Sequence, residues 1–192
     1  MFDRSRYMHQ DLNNLYQEGC ELIDRYIILD EGPAKDTSSI KAQSELRHGI
    51  ALLKVVVELY PENWAAHWTI GKGFQALRQR EDAYNAFQRA YSINPENPGV
   101  AREYAAECIA LGKGDEAVEV SRRISESNPE DAGLLSNLGV AYLVAGQVDE
   151  AQGVVRKAIE QKPGDRISHN LLTFIQEVKE GKRERPTKLS DF

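Results

Sequence analysis

Apolar side chains recur every three or four positions along most of the chain, the spacing of one stripe on an α-helix. In WAAHWTIGKGFQAL the stripe is Trp64, His67, Ile70/Gly71 and Phe74; in EDAYNAFQRAYSI it is Ala83, Phe87, Ala90 and Tyr91. Polar RQRE (78–81) separates the two, and GKGD (112–115) and GQVD (146–149) stand at the corresponding places further on. The later turns carry Gly where a helix end favours the left-handed conformation, and each turn ends on an acid, which suits the N-terminus of the next helix. Asn94-Pro95 and Asn128-Pro129 close the second stripe, because a residue before proline is pushed out of the α region. The predicted unit is helix, tight turn, helix, proline stop.

This unit repeats. Pro61, Pro95, Pro129 and Pro163 are each 34 residues apart, in a chain with only 7 prolines. Ala83, Ala117 and Ala151 keep the same step, with Gly49 one step upstream, as do Gly71, Ala105 and Gly139, and Phe74, Cys108 and Tyr142. A fixed period of this size predicts stacked helical hairpins. Antiparallel helices approach closely where one offers Gly or Ala to a larger side chain on the other. Gly71 should therefore receive Ala83/Phe87, and Gly139 should receive Ala151/Val155. One hairpin buries too little alone, so at least three are expected to share a continuous core.

The stretch His67-x2-Ile70-Gly71-x2-Phe74, Ala83-x3-Phe87, Pro95 resembles the tetratricopeptide repeat, whose pattern is W-x2-L-G-x2-Y…A-x3-F…P on a 34-residue period. Leu135-x2-Leu138-Gly139-x2-Tyr142 with Ala151, Val155, Ala158 and Pro163 fits as well. The middle unit keeps Ala101, Tyr104, Ala105, Cys108, Ala117 and Pro129, but has Ser121 where a larger residue is usual. The resemblance implies an all-α fold, a right-handed α-α superhelix (solenoid) of tetratricopeptide-type hairpins. Repeats are expected over 64–97, 98–131 and 132–165. Upstream, 9–63 reads as a degenerate repeat, with helices over 9–30 and 38–61 and a long connection through EGPAKDT. Downstream, 166–180 reads as a capping helix and 181–192 as a basic, loosely ordered tail.

Composition narrows the partner. The chain is 41% hydrophobic and 28% charged with net charge −6. The segment 181–192 holds four Lys+Arg against two Asp+Glu, leaving twenty against twenty-eight in 1–180. An acidic body repels phosphate backbones, so no nucleic-acid partner is expected. No apolar run reaches the roughly 18 residues of a membrane span, and MFDRSRYMHQD has no apolar stretch of the secretory kind. Cys20 and Cys108 are 88 positions apart, without a Cys or His at ligand spacing. The expected location is cytoplasmic, with no membrane partner and no cofactor.

The residues with chemistry have structural explanations. His67 and His169 hold one repeat position three periods apart, too far to share a metal. GKG at 71–73 and 112–114 lacks the spacing and preceding strand of a phosphate loop. No catalytic set assembles on one face, so no enzyme is expected. The resemblance instead implies a concave groove lined by first helices and holding a partner's peptide or helix. Its groove positions here are Trp68, Thr69, Lys72 and Gln75; then Arg102 and Glu103; then Asn137, Val140 and Val144; and Phe174 on the last helix. The positions matching a carboxylate clamp, Trp68, Lys72, Glu103, Gly133 and Asn137, carry one cation only, which argues against that subfamily. The apolar stretch Val140, Val144, Phe174 either receives a hydrophobic segment of a partner or is covered by the last helix and tail, with nothing left there for a ligand. The expected function is a protein–protein interaction module or adaptor. Its alternatives are a small secretion-type chaperone, which REYAAECIALGKGDEA resembles, and a self-associating scaffold, a homo-oligomer.

Overall fold

Four helices begin at one repeat position for one reason. Asn63, Asn97, Asp131 and Asp165, spaced by 34, each cap a helix by accepting a hydrogen bond from the backbone N–H three residues on. These bonds, to Ala66, Val100, Leu134 and Ser168, measure 3.0–3.1 Å and satisfy donors that a helix start otherwise leaves open. The recurring Pro-Glu-Asn/Asp thus ends one helix with its proline and starts the next with its last residue. Its middle residue is used as well: Glu62 pairs with Arg89 at 2.6 Å, and Glu96 with Arg123 at 2.5 Å, one repeat further on.

The computed structural model describes residues 9–27 and 36–192, and side chains from residue 11. Within these lie α1 (His9–Asp24), α2 (Ile40–Leu59), α3 (Trp64–Ala76), α4 (Arg80–Ile93), α5 (Pro98–Ala110), α6 (Gly114–Ser127), α7 (Ala132–Ala145), α8 (Val148–Gln161), α9 (Arg166–Lys179) and a 3-10 turn (Leu189–Asp191), with no strand among the described residues. The helix expected over 9–30 ends at Asp24, its last three positions lie outside the described residues, and so does most of EGPAKDT.

The chain divides into two compact units, 1–94 and 95–192. In the first, α1 packs on α2, α2 on α3 and α3 on α4, with α1 also touching α3. Ile23, Leu46, Ile50, Leu53 and Ile70 form its core. In the second, consecutive helices from α5 to α9 pack on one another, and the first helices α5, α7 and α9 also meet in sequence. Leu143, Val155, Leu171 and Ile175 form one of its core clusters.

Small residues set these contacts as the pattern predicts. A Cβ built on Gly71 would lie 2.6 Å from the Phe87 ring, and one on Gly139 would lie 2.3 Å from Val155. In the middle repeat the corresponding residues, Ala105 and Ser121, are both buried, and the Ser121 hydroxyl has no hydrogen-bond partner.

The turns between paired helices differ in one respect. Gly112 (φ 74°) and Gly146 (φ 86°) close the later turns in the left-handed region, and Arg78, one repeat earlier, takes φ 60° with a full side chain. A non-glycine residue held there carries about 1 kcal/mol or more of strain. Arg78→Gly should therefore raise stability in urea unfolding by about 0.5 kcal/mol, once glycine's greater chain entropy is deducted. A loss of stability would show that the Arg78 side chain contributes more than its backbone costs.

Candidate functional site

The residues expected to face a partner fall in both units, and each unit places its own. In the first, Lys72 lies one turn beyond Trp68 on α3, and its ammonium sits 5.8 Å from the indole centroid, within cation–π reach. The Trp68 ring is half-buried, and its Nε1–H is buried without a hydrogen-bond acceptor. Gln75 is also half-buried. Thr69 differs from expectation: it is only 6% exposed, and its hydroxyl turns back to donate to the Ala65 carbonyl at 3.0 Å. It belongs to the interior, on a helix that also touches α1, and so offers nothing to a partner.

In the second unit Arg102 is exposed, while Glu103, Asn137, Val140 and Phe174 are half-buried. Val140 and Phe174 pack against the Leu143–Val155–Ile175 core. Val144 is 5% exposed and is not available as a groove residue. A buried pair of hydroxyls, Ser136 and Ser168, joins α7 to α9 at 2.7 Å.

What lies over Val144 is the tail. Expected as a loose end, residues 183–192 instead run back over the ends of the first helices. Arg185 donates from Nη1 to the Val144 carbonyl at 2.6 Å, and Pro186 is fully buried. The Phe192 ring stacks on Phe174 with centroids 5.0 Å apart, and the 3-10 turn packs on α5. Of the Val140–Val144–Phe174 stretch, the tail engages the Val144 carbonyl and the Phe174 ring. The sequence carries little trace of this; the one signal is a lone proline in an otherwise charged segment.

A second concavity, of about 480 Å3, opens between α6, α7 and α8. Pro129, Leu135, Leu138, Tyr142 and Val154 supply its apolar lining, with Arg122, Glu126, Glu150 and Lys157 beside them. Gly153 stands in it with open space where a side chain would be.

The reactive residue types are in structural service. His67 and His169 repeat one contact: each ring Nε2 meets the carbonyl of the proline six residues back, at 3.0 Å (Pro61) and 2.9 Å (Pro163). Burial, aided by Arg89, lowers the His67 pKa against the opposing pull of the Pro61 carbonyl and Glu62. The Cys108 thiol is pushed up to about 12, by burial first and the Glu116 charge second, so it is no nucleophile near neutral pH. The glycines of both GKG stretches serve packing or turns: Gly71 and Gly73 lie against Phe87 and Ile50, Gly114 against Ala145, and Gly112 at its positive φ. Among the described residues no group of three or more His, Cys, Asp or Glu is placed to hold a metal, and no helix is long and apolar enough to cross a membrane.

Comparison with known proteins follows the same lines. The family model described as the tetratricopeptide repeat matches residues 74–132 and 109–173, together just over half of the chain. No curated protein matches at a significant level. Among solved structures, MamA (residues 41 to its end) from Desulfovibrio magneticus RS-1 superposes with a TM-score of 0.69 at 17% identity, covering 89% of this chain and 86% of that one. YrrB, described as a tetratricopeptide protein with an unusual peptide-binding site, gives 0.63 at 20% identity over 73% and 72% of the two chains. The first tetratricopeptide domain of human RPAP3 gives 0.56 at 18% identity over 64% of this chain and 96% of that one. At these identities the likeness speaks for the fold alone. Period, capped hairpins, glycine-mediated helix contacts and family match agree, and the chain belongs to the tetratricopeptide-repeat family.

Proposed function

We propose that the chain is a protein–protein interaction module, and that within each unit the part-exposed face of the first helices can hold an extended segment of a partner protein. Trp68, Lys72 and Gln75 would serve in the first unit, with Arg102, Glu103 and Asn137 in the second. The observation that carries this reading is the tail itself. Residues 183–192 lie as an irregular, mostly non-helical segment over the first helices of the second unit, with a proline buried and a backbone carbonyl engaged. A surface that seats one such segment has the shape to seat another. Membership of a family of interaction modules points the same way, and MamA and YrrB share the fold.

Trp68 would be the anchor. Its indole is part-exposed beside the Lys72 ammonium, and tryptophan is enriched among residues that dominate binding energy. The test is co-purification from the native host with wild type and with Trp68→Ala/Lys72→Ala/Asn137→Ala. The variant should lose its main partner, with binding weakened by about 1–3 kcal/mol and folding intact by circular dichroism. An unchanged partner set, together with loss of the partner on Gly153→Phe, would move the working surface to the α6–α7–α8 concavity. Light scattering separates this reading from a self-associating scaffold, since the module should run as a monomer at tens of micromolar.

A further inference from the structure

The tail is held by a sequence of specific contacts. Gly181, at φ 69°, turns the chain back at the end of α9, and the backbone N–H groups of Lys182 and Arg183 both donate to the Glu177 carbonyl. The Arg183 guanidinium lies 4.3 Å from the Phe174 centroid while its Nε meets the Glu177 carboxylate at 3.0 Å. Arg185 reaches the carbonyl at the C-terminal end of α7. Pro186 is buried, and the Thr187 carbonyl passes so close to Gly112 that a Cβ there would lie 3.3 Å from it. Asp191 then gathers the Thr187 N–H, the Thr187 hydroxyl and the Lys188 N–H at 2.9–3.2 Å, which brings Phe192 back onto Phe174.

We infer that residues 183–192 are a displaceable internal occupant of a recognition seat, and that the seat selects a partner segment in which an arginine is followed directly by proline and, about six residues later, by an aromatic ring. This rests on the interaction-module reading and names the ligand chemistry of its second unit. Each part of the seat selects one part of the segment. Val144 is among the last residues of α7, where carbonyls lack helical donors and the helix end is partially negative, so a guanidinium is favoured over a neutral group. The buried position wants proline, which has no N–H to leave unsatisfied and whose fixed φ suits an extended chain. The Phe174 face wants a second ring or a cation, and the tail supplies both.

The grip is also weak enough to exchange. Of the ten residues only Pro186 is buried, and Leu189 and Phe192 remain 43% and 44% exposed. Few buried contacts place a segment at the low-stability end of a structure, where it opens without global unfolding. A tethered segment competes at an effective concentration on the order of millimolar. The resting chain therefore hides the seat from weak ligands, and loosening the tail unmasks it.

The probe is a fluorescein-labelled synthetic peptide with the sequence of residues 182–192, followed by anisotropy on the 192-residue chain. The variant Arg185→Ala/Phe192→Ala of the same chain should bind it at least tenfold more tightly than wild type. A peptide carrying Ala at the positions of Arg185 and Pro186 should bind neither protein. If the double variant loses helical signal, Phe192→Ala alone, which trims a half-exposed ring, should show the same order of affinities. Equal binding to wild type and variant, binding of the substituted peptide, or no binding to a folded variant would each overturn the inference. In any of those cases a partner lost on Trp68→Ala/Lys72→Ala/Asn137→Ala would leave the broader reading standing, so the two fail separately.

Discussion

Phe87→Ala should cost the first unit about 3–5 kcal/mol, near the top of the range for a buried aromatic. Phe87 has no exposed surface, and its ring fills the space left by Gly71 on the facing helix. The void cannot close from that side, because glycine has no side chain to lean in, and the flanking Ala83 and Ala90 are small and already buried. Relaxation is what spares some large-to-small changes, and here little of it is possible. Repeat stacks couple mainly nearest neighbours, so a single unfolding free energy is poorly defined. The measurement is hydrogen exchange followed element by element, backed by urea unfolding. Faster exchange should concentrate in α3 and α4. A loss under about 1 kcal/mol would mean that the Gly71–Phe87 contact does not hold this hairpin together.

Gly114→Ala should destabilise the second unit by about 2 kcal/mol or more although it adds a single methyl. The new Cβ would lie 2.7 Å from the Ala145 Cα and 2.8 Å from its N. Those are backbone atoms of α7, so no side-chain rotation relieves the clash and α6 has to move away from α7. Overpacking of this kind costs about 1–3 kcal/mol, occasionally more. The intrinsic helix preference of Ala over Gly, up to about 1 kcal/mol, offsets only part. Gly153→Ala makes the matched control. It is also a helical glycine of the second unit, but its Cβ would meet nothing within 4 Å. There the propensity acts alone, and stability should rise by about 0.5–1 kcal/mol. Thermal or urea unfolding followed by circular dichroism should show opposite signs for the two substitutions; the same sign for both would remove the steric explanation.

The contacts behind these predictions were legible in the sequence to different degrees. Gly71 opposite Phe87 and Gly139 opposite Val155 follow from period and residue size, because a close helix crossing needs a small residue facing a large one. The positive φ of Gly112 and Gly146 follows from their place at a helix end. The capping series Asn63, Asn97, Asp131, Asp165 keeps the same step and was open to the same arithmetic, but the prolines beside it already accounted for the breaks between helices. Gly114 against the α7 backbone was not legible: its neighbour GKG spacing describes a turn, and only the packing of α6 on α7 puts Ala145 next to it.

The candidate site divides in the same way. That Trp68 and Lys72 share a face follows from their separation of four residues. Thr69 and Val144 sit on the sequence-predicted face too, yet one turns its hydroxyl into its own helix and the other lies under Arg185. The chain determined by itself the helical hairpins, their period, their stops and the small-residue contacts between them. These depend on residues close in sequence or related by a fixed step, so local sterics and hydrogen bonding decide them. Only the tertiary structure decided which part of the first-helix face is open and what the tail does. A short charged segment has no periodicity and no core of its own, and the seat for Arg185, Pro186 and Phe192 exists only once the ends of α5, α7 and α9 stand side by side.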